Sequence, residues 1–294
     1  MEATVAQSLQ FSTWIDSEKI LRKPCGSLQF SQRCRERQRL QILISSHFQP
    51  KRTATWHRPV ELKVSCSYQK LPASILESGS FPASFDEAMT LKNKSEEIEP
   101  YLNGRCLYLV GMMGSGKTTV GRILSEALGY SFFDSDALVE QAVGGTSVAE
   151  MFNLYGESFF RDNETEVLQK LSLMHRLVVS TGGGAVVRPV NWKYMQKGIS
   201  VWIDVPLEAL ARRIAAIGTD SRPLLHQESG DAYAKTFMRL STLLEERSEA
   251  YANANARVSL ENIAAKLGYS DVCNLTPAVI AIEALTQIES FLKK

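Results

Sequence analysis

The stretch Gly-Met-Met-Gly-Ser-Gly-Lys-Thr at residues 111–118 constrains this chain more than any other feature. It matches the phosphate-binding pattern G-x-x-x-x-G-K-[ST], the P-loop, in which glycines let several backbone N–H groups face one anion. An apolar run at 107–110 precedes it and a segment of helical spacing at 119–128 follows it, so the required order of strand, loop and helix is present. This context argues against the alternative, a glycine-rich turn without a ligand.

The motif predicts a site for nucleotide phosphates. Lys117 can reach the β- and γ-phosphates, and the Thr118 hydroxyl can ligate Mg²⁺. The residues of the loop and helix start that we predict to bind the nucleotide are Gly111, Met112, Met113, Gly114, Ser115, Gly116, Lys117, Thr118 and Thr119.

Charge is distributed unevenly along the 294 residues. Residues 1–65 carry eleven Lys or Arg and five Asp or Glu, for a net charge of +6, whereas the remainder carries −5. The body therefore has no electrostatic case for nucleic-acid binding, and no apolar run is long enough to predict a membrane span. The five cysteines form no C-x-x-C pair, which predicts reduced thiols rather than disulfides.

The N-terminal segment, residues 1–65, has the composition of an organelle transit peptide. It is rich in Ser and Arg, poor in acidic residues and without the apolar core of a secretory signal. The patch Val64-Ser65-Cys66-Ser67 resembles the end of a chloroplast transit peptide, so we predict a chloroplast address. A disordered basic tail and an RNA-binding arm are the alternatives. Residues 66–101 contain prolines, serines and a charged run and are predicted to be a flexible linker, which leaves 102–294 as the folded domain.

Strand-like and helix-like segments alternate from residue 102 onward. Strands are predicted at 107–110, 130–133, 177–180 and 199–204, and helices at 119–128, 137–141, 148–155, 163–175, 207–216, 237–254 and 278–292. This alternation predicts an α/β fold with a doubly wound parallel sheet flanked by helices. In such sheets ligands collect at the carboxyl ends of the strands.

Two further motifs follow predicted strands. Asp134-Ser-Asp136 places two carboxylates beside the phosphate site, where one can support Mg²⁺ and the other can accept a proton; a helix N-cap is the alternative for such an aspartate. Residues 181–184, Thr-Gly-Gly-Gly, permit close approach of the backbone to a ligand, although glycine runs are often simple turns.

Three arginines complete the candidate site. Arg161 lies at a predicted helix start, Arg247 lies on the helix predicted at 237–254, and Arg222 lies in a stretch of small and polar residues, 218–230, that we predict to be a mobile lid. A lone arginine is usually a surface cation, but three of them in a small phosphate-transfer domain favour recognition of anions.

Taken together, the body resembles shikimate kinase, in particular the plant plastid form, and thus the P-loop kinase fold. The resemblance covers about 102–294 and rests on motifs at residues 111–118, 133–136, 160–164, 181–184, 222–225 and 246–251. It implies that the chain phosphorylates the 3-hydroxyl of shikimate with ATP, a step towards aromatic amino acids. The implied partners are these small molecules and Mg²⁺, without nucleic acid or membrane.

The resemblance also implies roles for single residues. Lys117 and Asp136 are the catalytic residues, with Asp136 binding the ring hydroxyls and acting as the base. Thr118 binds Mg²⁺, and Asp134 supports the ion through water. Arg161 and Arg247 bind the substrate carboxylate, Arg222 meets the phosphates, and the substrate contacts the backbone of Gly182, Gly183 and Gly184.

Two other readings stay open at the level of sequence. A kinase for another small carboxylated polyol would use the same arginines, and a paralogue without activity would keep the same fold. A regulatory GTPase is disfavoured, because the chain lacks the guanine-reading motif Asn-Lys-x-Asp.

Overall fold

A computed structural model describes residues 40–44, 60–64, 84–217 and 232–294. The chain divides into two compact units, Met1–Tyr68 and Gln69–Lys294. In the first unit, β1 (Leu40–Ile44) and β2 (Val60–Val64) pair as antiparallel strands, which the sequence did not predict. The remaining residues of the predicted transit peptide lie outside the described residues.

The second unit is built on a five-stranded sheet with the order β4-β5-β3-β6-β7. Its strands are β3 (Leu107–Val110), β4 (Ser131–Asp134), β5 (Leu177–Ser180), β6 (Ile199–Asp204) and β7 (Ala256–Ser259), and neighbouring strands are parallel. Every residue of β3 and β5 is buried, as expected for strands covered on both faces. The predicted doubly wound α/β sheet is confirmed.

Helices flank this sheet. They are α1 (Phe85–Leu102), α2 (Lys117–Leu128), α3 (Ser135–Ala142), α4 (Val148–Leu171), α5 (Pro189–Met195), α6 (Leu207–Ile217), α7 (Ala232–Tyr251), α8 (Leu260–Leu267) and α9 (Pro277–Leu292). No helix within the described residues is long and apolar enough to cross a membrane.

Helix α1 corrects the predicted boundary between linker and domain. The prediction assigned 66–101 to a flexible linker, but α1 begins within it at a capping box formed by Ser84 and Glu87. Ile98 and Leu102 are buried, and α1 packs against α9 and α2. The charged run on the exposed face obscured the few apolar residues that attach this helix to the domain.

Four other elements differ from the prediction. Strand β7 was missed because only Ala256 and Val258 of its four residues are buried, which leaves no recognisable apolar run. Helices α5 and α8 were also missed. The two helices predicted at 148–155 and 163–175 belong to α4, which kinks at Gly156 (φ 81°, ψ 167°), a conformation essentially restricted to glycine.

Candidate active site

The loop between β3 and α2 has the shape of a phosphate cradle. Helix α2 begins at Lys117, and its N-cap Gly116 (φ 89°) provides no side-chain acceptor for the first N–H groups of the helix. A Cβ at Gly111 (φ 146°) would lie 2.6 Å from the Ile203 carbonyl oxygen, so this tight turn requires glycine. Free N–H groups at a helix N-terminus favour an anion.

The Lys117 amine is buried and held by its own loop. Its Nζ lies 2.8 Å from the carbonyl oxygens of Gly111 and Met112 and 3.3 Å from Ser115 Oγ. Burial lowers the pKa of Lys117 to about 8, against the opposing effect of Asp136 and Asp134. The ammonium group is therefore placed inside the cradle by backbone oxygens.

Asp134 serves two purposes at the end of β4. Its Oδ1 accepts from the backbone N–H groups of Asp136 and Ala137 and so caps α3, while its Oδ2 accepts from Thr118 Oγ1 at 3.0 Å. The N-cap alternative is thus present, and the other oxygen of the same carboxylate contacts the Thr118 side chain, a bond that the sequence did not predict. Ser180 Oγ, which the sequence did not single out, lies 3.2 Å from Thr118 Oγ1.

These hydroxyl and carboxylate oxygens are the hard donors that Mg²⁺ prefers. No cluster of three or more His, Cys, Asp or Glu side chains suited to a metal occurs among the described residues. A magnesium ion here would therefore need ligands beyond Thr118 and Asp134, and phosphate oxygens and water supply them in phosphoryl-transfer sites.

Asp136 lies beside a second carboxylate, Glu164 of α4. A Cβ on Gly182 would lie 2.5 Å from Asp136 Oδ1 and 2.7 Å from Glu164 Oε1, so both carboxylates lie on the same side of the Gly182 backbone. Burial, followed by the charges of Glu164 and Asp134, raises the pKa of Asp136 to about 7. Ser135 Oγ accepts from the Gly182 N–H at 3.0 Å and joins the two loops.

Arg161 is anchored so that two of its donors remain available. Its Nε and Nη2 donate to Glu157, and its Nη1 donates to Glu164 at 2.8 Å. A guanidinium carries five N–H donors, so one hydrogen on each terminal nitrogen is left over, which is the fork that a carboxylate accepts. A Cβ on Gly184 would overlap with Nη2, so a side chain at this position would displace the guanidinium.

Arg247 reaches the same loop from α7. Its Nη1 lies 3.3 Å from the Gly183 carbonyl oxygen, and its buried Nε has no hydrogen-bond partner within the described residues. Tyr251, one turn further along α7, donates its hydroxyl to the same carbonyl oxygen at 2.6 Å. Residues 181–184 therefore lie against Asp136, which follows a strand as the sequence predicted, and against Arg161 and Arg247, which come from helices.

One predicted contact cannot be placed. Arg222 and the predicted lid, 218–230, lie outside the described residues. Four residues that the prediction gave no role also surround the site: Ser135, Glu164, Ser180 and Tyr251. The sequence could have predicted a role for Glu164, because a carboxylate three positions after Arg161 on a helix can pair with that arginine.

Comparison with known proteins identifies the family. The shikimate kinase family model matches residues 113–287, more than half of the chain. The chain belongs to the shikimate kinase family. Chloroplastic shikimate kinase of Solanum lycopersicum is 68% identical over 293 residues, covering 100% of this chain and 97% of the relative. Chloroplastic shikimate kinase 1 of Arabidopsis thaliana is 60% identical over 296 residues, covering 100% and 96%.

A solved structure agrees with this assignment. Shikimate kinase from Acinetobacter baumannii in complex with shikimate is 32% identical, with a TM-score of 0.54, covering 67% of this chain and 97% of that one. The predicted P-loop kinase fold and shikimate kinase membership are confirmed. The predicted chloroplast location is also confirmed, by the names of the plant relatives.

Proposed function

We propose that this shikimate kinase family member transfers the γ-phosphoryl group of ATP to the 3-hydroxyl of shikimate. The observation that carries the proposal is that residues 181–184 contact Asp136, Arg161 and Arg247 while lying against the P-loop. A Cβ on Gly183 would be only 3.2 Å from the Met113 backbone nitrogen. A small hydroxy acid bound to this loop would have its hydroxyl beside the nucleotide phosphates.

In the proposed reaction the 3-hydroxyl oxygen attacks the γ-phosphorus and ADP leaves. The hydroxyl proton passes to the Asp136 carboxylate, which later returns it to solvent. A base with a pKa of about 7 is suited to this transfer near neutral pH. Arg161 and Arg247 would bind the substrate carboxylate, and the Gly182, Gly183 and Gly184 backbone would contact the substrate.

The nucleotide side of the proposal rests on the P-loop. Residues 111–119 would enclose the phosphates, with Lys117 neutralising charge that develops during transfer. Thr118, with Asp134 acting through water, would hold Mg²⁺, which supplies charge neutralisation and orientation of the phosphates. Arg222 would add a cation from the predicted lid.

A coupled assay of ADP release tests the proposal. We expect release with shikimate and ATP, little release without shikimate, and much weaker release with gluconate or quinate as other carboxylated polyols. NMR of the product should locate the phosphate on the oxygen at C3. A preference for another polyol would contradict the substrate assignment, and no release with any acceptor would indicate a protein without kinase activity.

A further inference from the structure

Tyr251 is a buried tyrosine in contact with two loops of the candidate site. Its hydroxyl donates to the Gly183 carbonyl oxygen at 2.6 Å and lies 3.5 Å from Met112 Sδ in the P-loop. A tyrosine hydroxyl has one hydrogen, and a thioether is a weak acceptor, so the short contact with the carbonyl takes it. The sequence motif at 246–251 ends on this residue, and the proposed reaction gives it no role.

The ring of Tyr251 is held in place independently of its hydroxyl. It stacks on Trp202 of β6 with a centroid distance of 5.6 Å and an angle of 16° between the rings, and the side chain is fully buried. Burial raises the pKa of Tyr251 to about 12, so the hydroxyl keeps its proton at physiological pH. The residue is therefore a fixed donor directed at one carbonyl.

That carbonyl controls the direction of a donor in the site. Because a peptide is planar and trans, fixing the Gly183 C=O also fixes the Gly184 N–H, which points the opposite way. The N–H groups of Gly183 and Gly184 have no acceptor within residues 84–217 and 232–294. Glycine would otherwise allow this peptide to rotate, since it lacks the Cβ that restricts other residues.

We propose that Tyr251 is a positioning residue that locks the 183–184 peptide so that its free N–H donor faces the reacting groups. This rests on the proposed function and extends it to a residue that does not touch substrate. Arg247 contacts the same carbonyl at 3.3 Å, a weaker contact, and its guanidinium is committed to the substrate carboxylate in the proposed complex.

The test is Tyr251→Phe, with Tyr108→Phe as a matched control. Both tyrosines are fully buried, but the Tyr108 hydroxyl has no partner within the described residues and lies on β3, away from the carboxyl ends of the strands. We expect Tyr251→Phe to lower kcat about tenfold, the effect of losing one hydrogen bond, with each KM changed less than about threefold. Tyr108→Phe should leave kcat within about twofold of the wild-type value and should not lower the melting temperature, because it removes a buried hydroxyl without a partner among the described residues.

A structural readout separates this proposal from the proposed function. In ¹H–¹⁵N spectra of the ligand-free protein, the Gly184 amide signal should move in Tyr251→Phe and stay in place in Tyr108→Phe. An unmoved signal, or a kcat within twofold of the wild-type value, would overturn the positioning role. A wild-type protein inactive on shikimate would overturn the proposed function instead, and the amide signal would still decide the role of Tyr251 in peptide orientation.

Discussion

The two sides of the candidate site differ in how fully the protein satisfies its own polar groups. On the nucleotide side, Lys117 donates to three oxygens of its loop, and Thr118 bonds to Asp134 and Ser180. The substrate side consists of Asp136, Arg161, Glu164 and Arg247 and is incompletely paired. The comparison indicates that the backbone preforms the nucleotide side, whereas the substrate side holds charge that a ligand can pair.

Three observations support this view of the substrate side. Glu164 Oε1 and Arg247 Nε are buried without a hydrogen-bond partner in the part of the chain that the structure describes. Burial also raises the pKa of Glu164, although Arg161 opposes the shift. An unpaired buried polar group costs about 1–3 kcal/mol. A ligand whose hydroxyl donates to Glu164 and whose carboxylate accepts from Arg247 would remove this cost and would therefore bind more tightly.

The largest effect should come from Asp136→Asn, which removes the proposed base from the substrate side. The amide keeps the shape but cannot accept the hydroxyl proton, so we expect kcat to fall on the order of 100-fold or more. ATP binding, measured by calorimetry, should remain close to the wild-type value because Lys117 and Thr118 keep their partners. Turnover within a few-fold of wild type would show that Asp136 is not the base.

The next effect concerns the arginine fork. Arg161→Lys keeps the charge but loses the two parallel donors, and one ammonium cannot pair with Glu157, Glu164 and a ligand in the same geometry. We expect a ten- to a hundredfold loss in kcat/KM for shikimate, or roughly 1.5–3 kcal/mol, with the KM for ATP little changed. Arg188→Lys, which alters a more exposed pair with Asp162, is the control and should stay within about twofold.

A shikimate analogue without the carboxylate completes this experiment. Replacing shikimate by the analogue should lower kcat/KM of the wild type about as much as Arg161→Lys lowers kcat/KM for shikimate. In the Arg161→Lys variant, the same replacement should lower kcat/KM little further. If the free-energy losses from the variant and from the analogue simply add, Arg161 does not bind the carboxylate. The substrate orientation proposed for this side of the site would then be wrong.

The same comparison explains what the sequence could predict. In the described part of the chain, Lys117 bonds to residues no more than six positions away, so the lysine and its cradle are encoded in one short motif. The bonds of Thr118 to Asp134 and Ser180 are not. The strand order could not be inferred from local pattern, but the rule that ligands gather at strand ends correctly grouped Asp134 and Asp136 with residues 181–184.

Contacts between distant residues escaped prediction. Tyr251 bonds to Gly183 across 68 positions, and Ser180 approaches Thr118 across 62, distances at which a single sequence carries no pairing signal. Helix α1 was missed for a related reason, because α9, against which it packs, lies at the other end of the chain.

A smaller effect concerns stability. The pKa of Asp136 rises from an ordinary value of 3.8 to about 7, so the folded state keeps a proton that the unfolded chain releases. The stability that Asp136 contributes is therefore present below about pH 4 and is lost as pH rises to about 7. Asp136→Asn stays neutral throughout, so it should melt above wild type by ~3 °C or more at pH 8, with a smaller difference at pH 5. An equal or larger difference at pH 5 would contradict the raised pKa.

The smallest effect should come from shortening the chain, which tests whether either side of the site depends on the N-terminal segment. Removing residues 1–83 leaves Ser84, the capping box and all of α1 in place. The contacts described for the site all join residues between Gly111 and Tyr251, so we expect kcat, both KM values and the melting temperature to stay close to those of the full chain, with kcat within about twofold.

Removing residues 1–102 is the matched comparison. That deletion takes away the buried Ile98 and Leu102, each worth about 1.5–3 kcal/mol of burial, together with the hydrogen bonds that Thr276 donates to Glu87 and Lys94 donates to Glu289. It should lower the melting temperature by many degrees, because α1 packs on α9 and α2. A selective rise in the KM for shikimate after the shorter deletion would show that the N-terminal segment contributes to the substrate side, and the domain boundary at Ser84 would have to move.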